Sequence, residues 1–284
     1  MTGKAAVIAT DLSTASENMI NSETGLGCLE RIGVERIHLV TVVPSNVHTG
    51  MPGMRFRERR ERVLKGYRAT IEAAGFDAET HVVRGTPHRR INGIAGTVGA
   101  DLILVGSRGK SPLENRVIGS TARNLARTTV VPLLIDRIER RVEDPSPVRR
   151  HLFRRTLFAT DFSENAERAL EVFEYLRHAT QEVTLVHVRS PKEGLEEAGR
   201  DPETELDSIA DRLDAWGLES RIDIRSGDPA DEILAAEREY EPSTLLLGSR
   251  GRSRLRRLLL GSVSDTVVAQ ATGNVFLVPP PRTV

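Results

Sequence analysis

Two copies of a glycine-rich segment are the part of the sequence best suited to chemistry. In each copy an apolar run ends in Gly-x2-Gly, and a Gly-Ser pair follows after nine intervening residues. Glycine allows a positive φ and has no Cβ to hold a phosphate away from the main chain. The first N–H groups of a helix lack internal partners and bind anions. The pattern predicts a duplicated anion site, with a nucleotide as the natural ligand. Its residues are Gly106, Gly109, Gly119 and Ser120, and Gly248, Gly251, Gly261 and Ser262.

Two common phosphate-binding motifs do not fit these segments. The lysine after Gly109 suggests a P-loop, but the first glycine of that motif would fall on Leu104, inside a predicted strand. The second copy has Arg252 in place of the lysine. Neither segment has the glycine spacing of a dinucleotide-binding fingerprint, and each follows the fourth predicted strand of its copy. We expect Ser120 and Ser262 to cap the helices that follow. A branched side chain at Gly119 or Gly261 is expected to strain the turn and fill the space of a phosphate.

The repeat extends along the whole chain. The three glycines recur 142 residues later, and Ala9–Ser13 is similar to Ala159–Ser163, each with an aspartate after the first predicted strand. A domain-sized period in 284 residues indicates two copies of one domain. The charged segment Asp136–Arg154 contains two prolines and no apolar period. We predict domains at 1–140 and 152–284, joined by a linker at 141–151.

Each copy alternates strands and helices. Nearly continuous apolar runs are typical of parallel strands buried on both faces, and the helices between them predict right-handed crossovers. Helices are predicted at Glu17–Ile32, where Gly25 and Gly27 interrupt the pattern, and at Glu164–His178 and Thr204–Trp216. The mixed charges of Arg55–Arg62 indicate a solvated helix surface. The predicted strands are Ala5–Thr10, Ile37–Val43, Ala78–Val83, Leu102–Val105, Val130–Ile135, Thr156–Ala159, Val183–Val188, Glu219–Ile224, Thr244–Leu247 and Val275–Val278.

Composition excludes several classes of protein. Lys plus Arg equals Asp plus Glu at 40 each, so no net field favours nucleic acid or acidic membranes. The single cysteine, Cys28, fits a reducing compartment and a buried packing role. The N-terminal residues indicate a first strand and not a signal peptide, and no apolar run reaches the length of a membrane span. We expect a soluble cytoplasmic protein.

Several residues have a structural interpretation beside the functional one. Asp11 and Asp161 each precede a serine and can cap a helix. His187 is interpreted as a hydrogen-bonded core or pocket-wall histidine. The arginines at 250–257 suit a solvated face better than a phosphate patch, since little aromatic sequence accompanies them.

No catalytic constellation is evident in the sequence. It offers no nucleophile–base pair and no His/Cys set with zinc spacing. A binding or sensing module is therefore preferred to an enzyme. A slow ATPase or nucleotidyl-type enzyme, and a scaffold with one or both sites empty, remain alternatives.

With these motifs the chain resembles a tandem member of the universal stress protein family. That family has the G-x2-G-x9-G-[ST] motif after the fourth strand and an aspartate after the first. The resemblance implies, for each half, an open five-stranded parallel sheet of order 3-2-1-4-5 with helices on both faces, Rossmann-like and similar to the adenine-nucleotide α-hydrolase fold. It also implies binding of ATP or AMP, with Mg²⁺ accompanying ATP.

The resemblance assigns roles position by position. Asp11 and Asp161 match the aspartate near the ribose, and the glycines and serines match the phosphate loop. Val42 and Val188 match the position whose backbone meets the adenine edge. The residue after the serine is often valine in the ATP-binding subgroup, so Val263 agrees and Thr121 departs.

The last predicted strands, Val130–Ile135 and Asn274–Pro279, lie at a sheet edge in the family's strand order. Single-domain members dimerise through this region, so we predict that the two edges pair within the chain as a pseudo-dimer. A homodimer of the tandem chain and an unidentified protein partner remain open.

Overall fold

The structure is a computed structural model, and it describes residues 3–13, 20, 22–45, 54–107, 118–137, 151–190, 201–251 and 260–281. The chain divides into two compact units, Met1–Glu143 and Asp144–Val284. The predicted site residue Gly109 lies outside the described residues, as does nearly all of the predicted linker 141–151.

The described residues of unit 1 form five parallel strands in the order β3-β2-β1-β4-β5. Helices connect successive strands, and α3 packs against both β1 and β2. The elements are β1 Lys4–Ala9, α1 Glu23–Arg31, β2 Val34–Val43, α2 Met54–Ala73, β3 Asp77–Arg84, α3 Pro87–Val98, β4 Leu102–Gly106, α4 Ser120–Thr128 and β5 Leu133–Asp136.

Unit 2 repeats the arrangement, and its part that the structure describes has five parallel strands in the order β8-β7-β6-β9-β10. Counted within each unit, both orders are 3-2-1-4-5, so the α/β alternation and strand order are confirmed. The elements are β6 Arg155–Ala159, α5 Glu164–Glu171, α6 Phe173–Leu176, β7 Glu182–Arg189, α7 Pro202–Ala215, β8 Glu219–Ser226, α8 Pro229–Tyr240, β9 Thr244–Gly248, α9 Ser262–Gln270 and β10 Asn274–Val278.

The central strands are buried on both faces, which is why their sequences are nearly continuous apolar runs. In β1 every residue from Ala5 to Ala9 is buried. The core of unit 2 is built around phenylalanines, and Phe158 meets Phe173 edge to face with ring centroids 5.8 Å apart. Burial of such side chains stabilises a fold by about 1.5–3 kcal/mol each. This packing holds the carboxyl ends of the strands in place, and those ends carry the glycine-rich loops.

Two helix predictions were wrong in detail. Helix α1 runs through Gly25 and Gly27 without interruption, capped by Ser22, whose side chain accepts a hydrogen bond from Gly25 N. The burial of Leu26 and Leu29 outweighs the helix cost of glycine, which is about 0.5–1 kcal/mol per residue. The predicted helix Glu164–His178 divides at Val172, where hydrogen bonds three residues apart tighten the turn.

Among the described helices, none combines the length and the apolar character needed to cross a membrane.

Candidate functional site

The glycine-rich loop of unit 2 connects the end of β9 to the start of α9. Gly261 N donates to Ser249 O at 2.9 Å, and Ser249 N donates to Val278 O at 2.8 Å. These bonds hold the two ends of the loop side by side at the carboxyl edge of the strands. Unit 1 has the same frame, because Gly119 N donates to Ser107 O and Ser107 N donates to Asp136 O, both at 2.7 Å.

At two loop positions in unit 2, a side chain added to the glycine would displace a neighbouring polar group. A Cβ added at Gly251 would lie 2.7 Å from Oδ2 of Asp161. At Gly248 an added Cβ would lie only 2.2 Å from Nδ2 of Asn165. The loop backbone therefore lies directly against the aspartate that follows β6, and the structure brings together these two predicted site residues, Asp161 and Gly251.

Gly261 is different, since an added Cβ there would meet the backbone of Arg250 and Gly251 at 3.5 Å, an ordinary contact. Its φ is −61°, and that of Gly119 is −63°, so neither position needs a glycine for its backbone conformation. At Gly261 a Cβ therefore fits without displacing its neighbours. The effect of a branched side chain at either glycine stays a prediction.

The predicted capping serines are also in a different place. Helices α4 and α9 begin at Ser120 and Ser262 themselves, with Gly119 and Gly261 as N-caps, and neither N-cap makes a side-chain hydrogen bond. The prediction that the serines cap these helices was wrong. The N-cap glycines offer no side-chain oxygen to the first N–H groups of either helix, which leaves those groups suited to an anion. Thr121 and Val263 are the second residues of α4 and α9.

The aspartates after β1 and β6 occupy equivalent turns. Oδ1 of Asp11 accepts from Ser13 N at 3.0 Å, and Oδ1 of Asp161 accepts from Ser163 N at 3.1 Å. The residue between the aspartate and the serine has a positive φ in both units, 62° for Leu12 and 56° for Phe162. Helix α5 is capped by a serine and not by the aspartate. The alternative of helix capping by Asp161 is therefore wrong, and the turn orients its carboxylate instead.

The second strands of the two units end differently. In unit 2, His187 is 3% exposed, its Nδ1 lies 3.0 Å from Thr160 O, and its ring stacks on Phe162 with centroids 4.4 Å apart. The interpretation of His187 as a hydrogen-bonded core histidine is confirmed. Val188 beside it is buried, and Val42 in unit 1 is half-buried.

Unit 1 has Thr41 at the position of His187, and a buried arginine reaches it. Nη1 of Arg60 donates to Oγ1 of Thr41 at 2.6 Å, and Arg60 is only 8% exposed. Burial lowers the pKa of Arg60, and the negative charge of Asp11 opposes that effect. The prediction that Arg55–Arg62 forms a solvated surface is wrong for this residue. Unit 1 thus places a guanidinium cation close to its site aspartate.

Asn165 is a site residue that sequence reasoning missed. Its side chain is buried, and Nδ2 donates to Arg250 O at 3.2 Å and to Val278 O at 3.1 Å. The amide thereby ties the glycine-rich loop to β10. Asparagine in a first helical turn gives no signal of such a bridge, and Ala15 stands at the corresponding position of the first copy.

The comparisons with known proteins agree with this architecture. The model of the Universal stress protein family matches twice, over residues 4–137 and 152–279. A solved universal stress protein of Archaeoglobus fulgidus is 28% identical and superposes with a TM-score of 0.76, covering 98% of each chain. A solved protein of Pseudomonas aeruginosa, a putative universal stress protein, shares the fold at 12% identity with a TM-score of 0.66, covering 98% of this chain and 94% of the other.

Curated relatives match one unit or both. A universal stress protein of Methanocaldococcus jannaschii is 28% identical over 156 residues, which are 45% of this chain and 95% of the relative. One of Mycobacterium tuberculosis is 28% identical over 239 residues, 78% of this chain and 76% of the relative. With family matches covering nearly all of both units, the chain belongs to the universal stress protein family and carries two of its domains in tandem.

Proposed function

We propose that each unit binds one adenine nucleotide, ATP or AMP, and that the bound nucleotide controls interactions with other proteins. The observation that carries the proposal is the approach of the loop to the aspartate in unit 2, where a Cβ added at Gly251 would lie 2.7 Å from Oδ2 of Asp161. A carboxylate, the backbone of Gly251 and a helix that begins with a glycine N-cap thereby lie at one edge of the sheet.

The parts of a nucleotide correspond to these groups. Phosphate oxygens accept from the first N–H groups of α4 and α9, where the helix dipole favours negative charge. The hydroxyls of Ser120 and Ser262 are the first side chains of those helices and can donate to the same oxygens. Mg²⁺ would accompany ATP by bridging its phosphates.

The nucleoside end of the proposed nucleotide would lie across the carboxyl ends of the strands. A carboxylate accepts hydrogen bonds from ribose hydroxyls, and Asp11 and Asp161 offer theirs on turns of the same geometry. The backbone of Val42 and Val188, next to the ends of the second strands, would meet the adenine edge. In unit 1 the cationic Arg60 adds a positive charge that acts on Asp11, so we expect the two sites to differ in affinity.

The proposed role is binding and regulation, and family membership supports it. Binding that stabilises one arrangement of the loop changes what that surface presents to a partner. The glycine-rich loop connects directly to α9, so a ligand held there orders the strand end and the helix together.

Calorimetry with ATP and AMP on Gly119→Val, Gly261→Val and the double variant tests the proposal. Because the fold tolerates a Cβ at Gly261, we expect each single variant to lose the site of its own unit and the double variant to lose both. Gly96→Val is the matched control, since Gly96 lies on α3 with open space around it. Binding by the double variant equal to that of Gly96→Val would refute the nucleotide assignment, and phosphate release measured alongside would detect hydrolysis.

A further inference from the structure

Unit 1 carries a cluster of two histidines and a glutamate at its edge strand. His38 on β2 is the direct register partner of Glu79 on β3. Glu79 and His81 are two residues apart on one strand, so their side chains point to the same face of the sheet. The cluster is formed by side chains from two neighbouring, hydrogen-bonded parallel strands.

The three potential ligand atoms form a compact triangle. Nδ1 of His38 lies 3.3 Å from Nε2 of His81 and 3.5 Å from Oε2 of Glu79, and Nε2 of His81 lies 3.9 Å from that oxygen. Two ligand atoms on one tetrahedral zinc ion lie roughly 3.3–3.5 Å apart, given Zn–N bonds of about 2.0–2.1 Å. The triangle matches one face of such a tetrahedron, and the longest edge involves an exposed glutamate that is free to adjust.

The cluster combines a buried ring with nearby charged groups. His38 is 6% exposed, and the groups that act on it electrostatically are Glu79, His81, Arg36 and Asp77. The buried Nε2 of His38 has no hydrogen-bond partner among the described residues, so Nδ1 makes the polar contacts of the ring.

Unit 2 places a protein cation at the corresponding position. Arg221 replaces Glu79, and its Nη2 donates to Oε1 of Glu182 at 2.6 Å and reaches Oγ1 of Thr184 at 3.5 Å. Thr184 and Asp223 stand at the positions of His38 and His81. The same part of the fold therefore has a guanidinium in one copy and a set of metal-type ligands in the other.

We propose that His38, Glu79 and His81 bind a divalent zinc-type ion through Nδ1, a carboxylate oxygen and Nε2. Imidazole nitrogens with a carboxylate suit zinc and its first-row neighbours, whereas Mg²⁺ prefers an all-oxygen set. Three protein ligands leave the fourth tetrahedral position to water. The site is separate from the glycine-rich loops, and it does not depend on their ligand.

Zinc titration of the chelator-treated full chain by calorimetry tests this site. We expect one zinc ion per chain, undisturbed by excess Mg²⁺, and visible absorption typical of tetrahedral coordination when Co²⁺ replaces zinc. Glu79→Gln and His81→Gln should each weaken zinc binding at least about tenfold, since loss of an outer-shell partner alone costs 10–100-fold.

His178→Gln is the matched control, because His178 is an exposed histidine of unit 2. It should bind zinc like the wild type. Glu79 is exposed, so Glu79→Gln is expected to fold, which circular dichroism would verify. Equal zinc affinity in the wild type, Glu79→Gln and His81→Gln, or no cobalt band in the wild type, would overturn the proposal.

Discussion

Replacement of Gly248 by alanine should destabilise unit 2 chiefly through the side chain of Asn165, since the next atoms, Arg250 O and the backbone carbon of Asn165, lie farther away at 3.2 Å. The new Cβ would lie 2.2 Å from Nδ2 of Asn165, a distance that forces the amide to move. The amide would then lose its hydrogen bonds to Arg250 O and Val278 O. At about 0.5–1.5 kcal/mol for each bond, the free energy of unfolding should fall by about 1–3 kcal/mol.

A double-mutant cycle separates this mechanism from a general backbone effect. Asn165→Ala loses the same two bonds and should cost a similar amount, toward the lower end because Oδ1 of Asn165 is buried without a partner among the described residues. In that background Gly248→Ala should be close to neutral. The coupling energy should therefore be about 1–3 kcal/mol, the range seen for side chains in contact.

Trp216 provides the assay. It is the one tryptophan of the chain and lies at the end of α7, so its fluorescence during urea unfolding follows unit 2. Additive losses of unfolding free energy in the double variant would refute the reasoning, because they would show that the new methyl group acts on something other than Asn165.

Three further predictions concern charge. Burial, and secondarily Arg89, lowers the pKa of His88 from 6.5, so the folded state binds fewer protons than the unfolded state. The stability that neutral His88 contributes is complete above about pH 6.5 and is lost as pH falls through the folded-state pKa. His88→Gln should flatten this loss, measured as urea unfolding midpoints followed by circular dichroism. Arg225→Lys should lower the free energy of unfolding of unit 2, followed by Trp216 fluorescence, by about 1–3 kcal/mol. The reason is that Arg225 donates a hydrogen bond to Asp223 at 2.6 Å and also pairs with Glu239. An unchanged urea midpoint would show that these contacts contribute nothing to stability. Nucleotide affinity measured by calorimetry should fall between about 0.1 M and 1 M salt as the Debye length shrinks from about 10 Å to 3 Å, and a constant affinity would mean that adenine and ribose contacts dominate.

The tandem organisation and the parallel α/β alternation were predictable from sequence because both depend on local periodicity. A repeated glycine spacing and continuous apolar runs of strand length can be recognised without knowing which distant side chains meet. The positions of Asp11 and Asp161 after the first strand of each unit followed from the same pattern, and the structure places both on turns of one geometry.

The departures from prediction share a cause, which is that burial and pairing depend on residues far apart in the chain. Arg60 looks solvated in a run of mixed charges, yet it is buried and bonded to Thr41. Helix α1 tolerates two glycines because its apolar side chains, such as Leu26 and Leu29, are buried. The helices expected to start after serines start at them instead, because the preceding glycine adopts an extended cap.

The His38–Glu79–His81 cluster is the clearest case of contacts between residues that lie far apart in the chain. The two histidines are 43 residues apart in sequence, and no ligand spacing within one segment connects them. Strand register alone brings His38 opposite Glu79, and the two-residue period of β3 adds His81 on the same face. Sequence determined which strands exist and which side chains they carry. The tertiary structure decided which of those side chains meet, because hydrogen bonding between β2 and β3 fixes the register of a parallel pair.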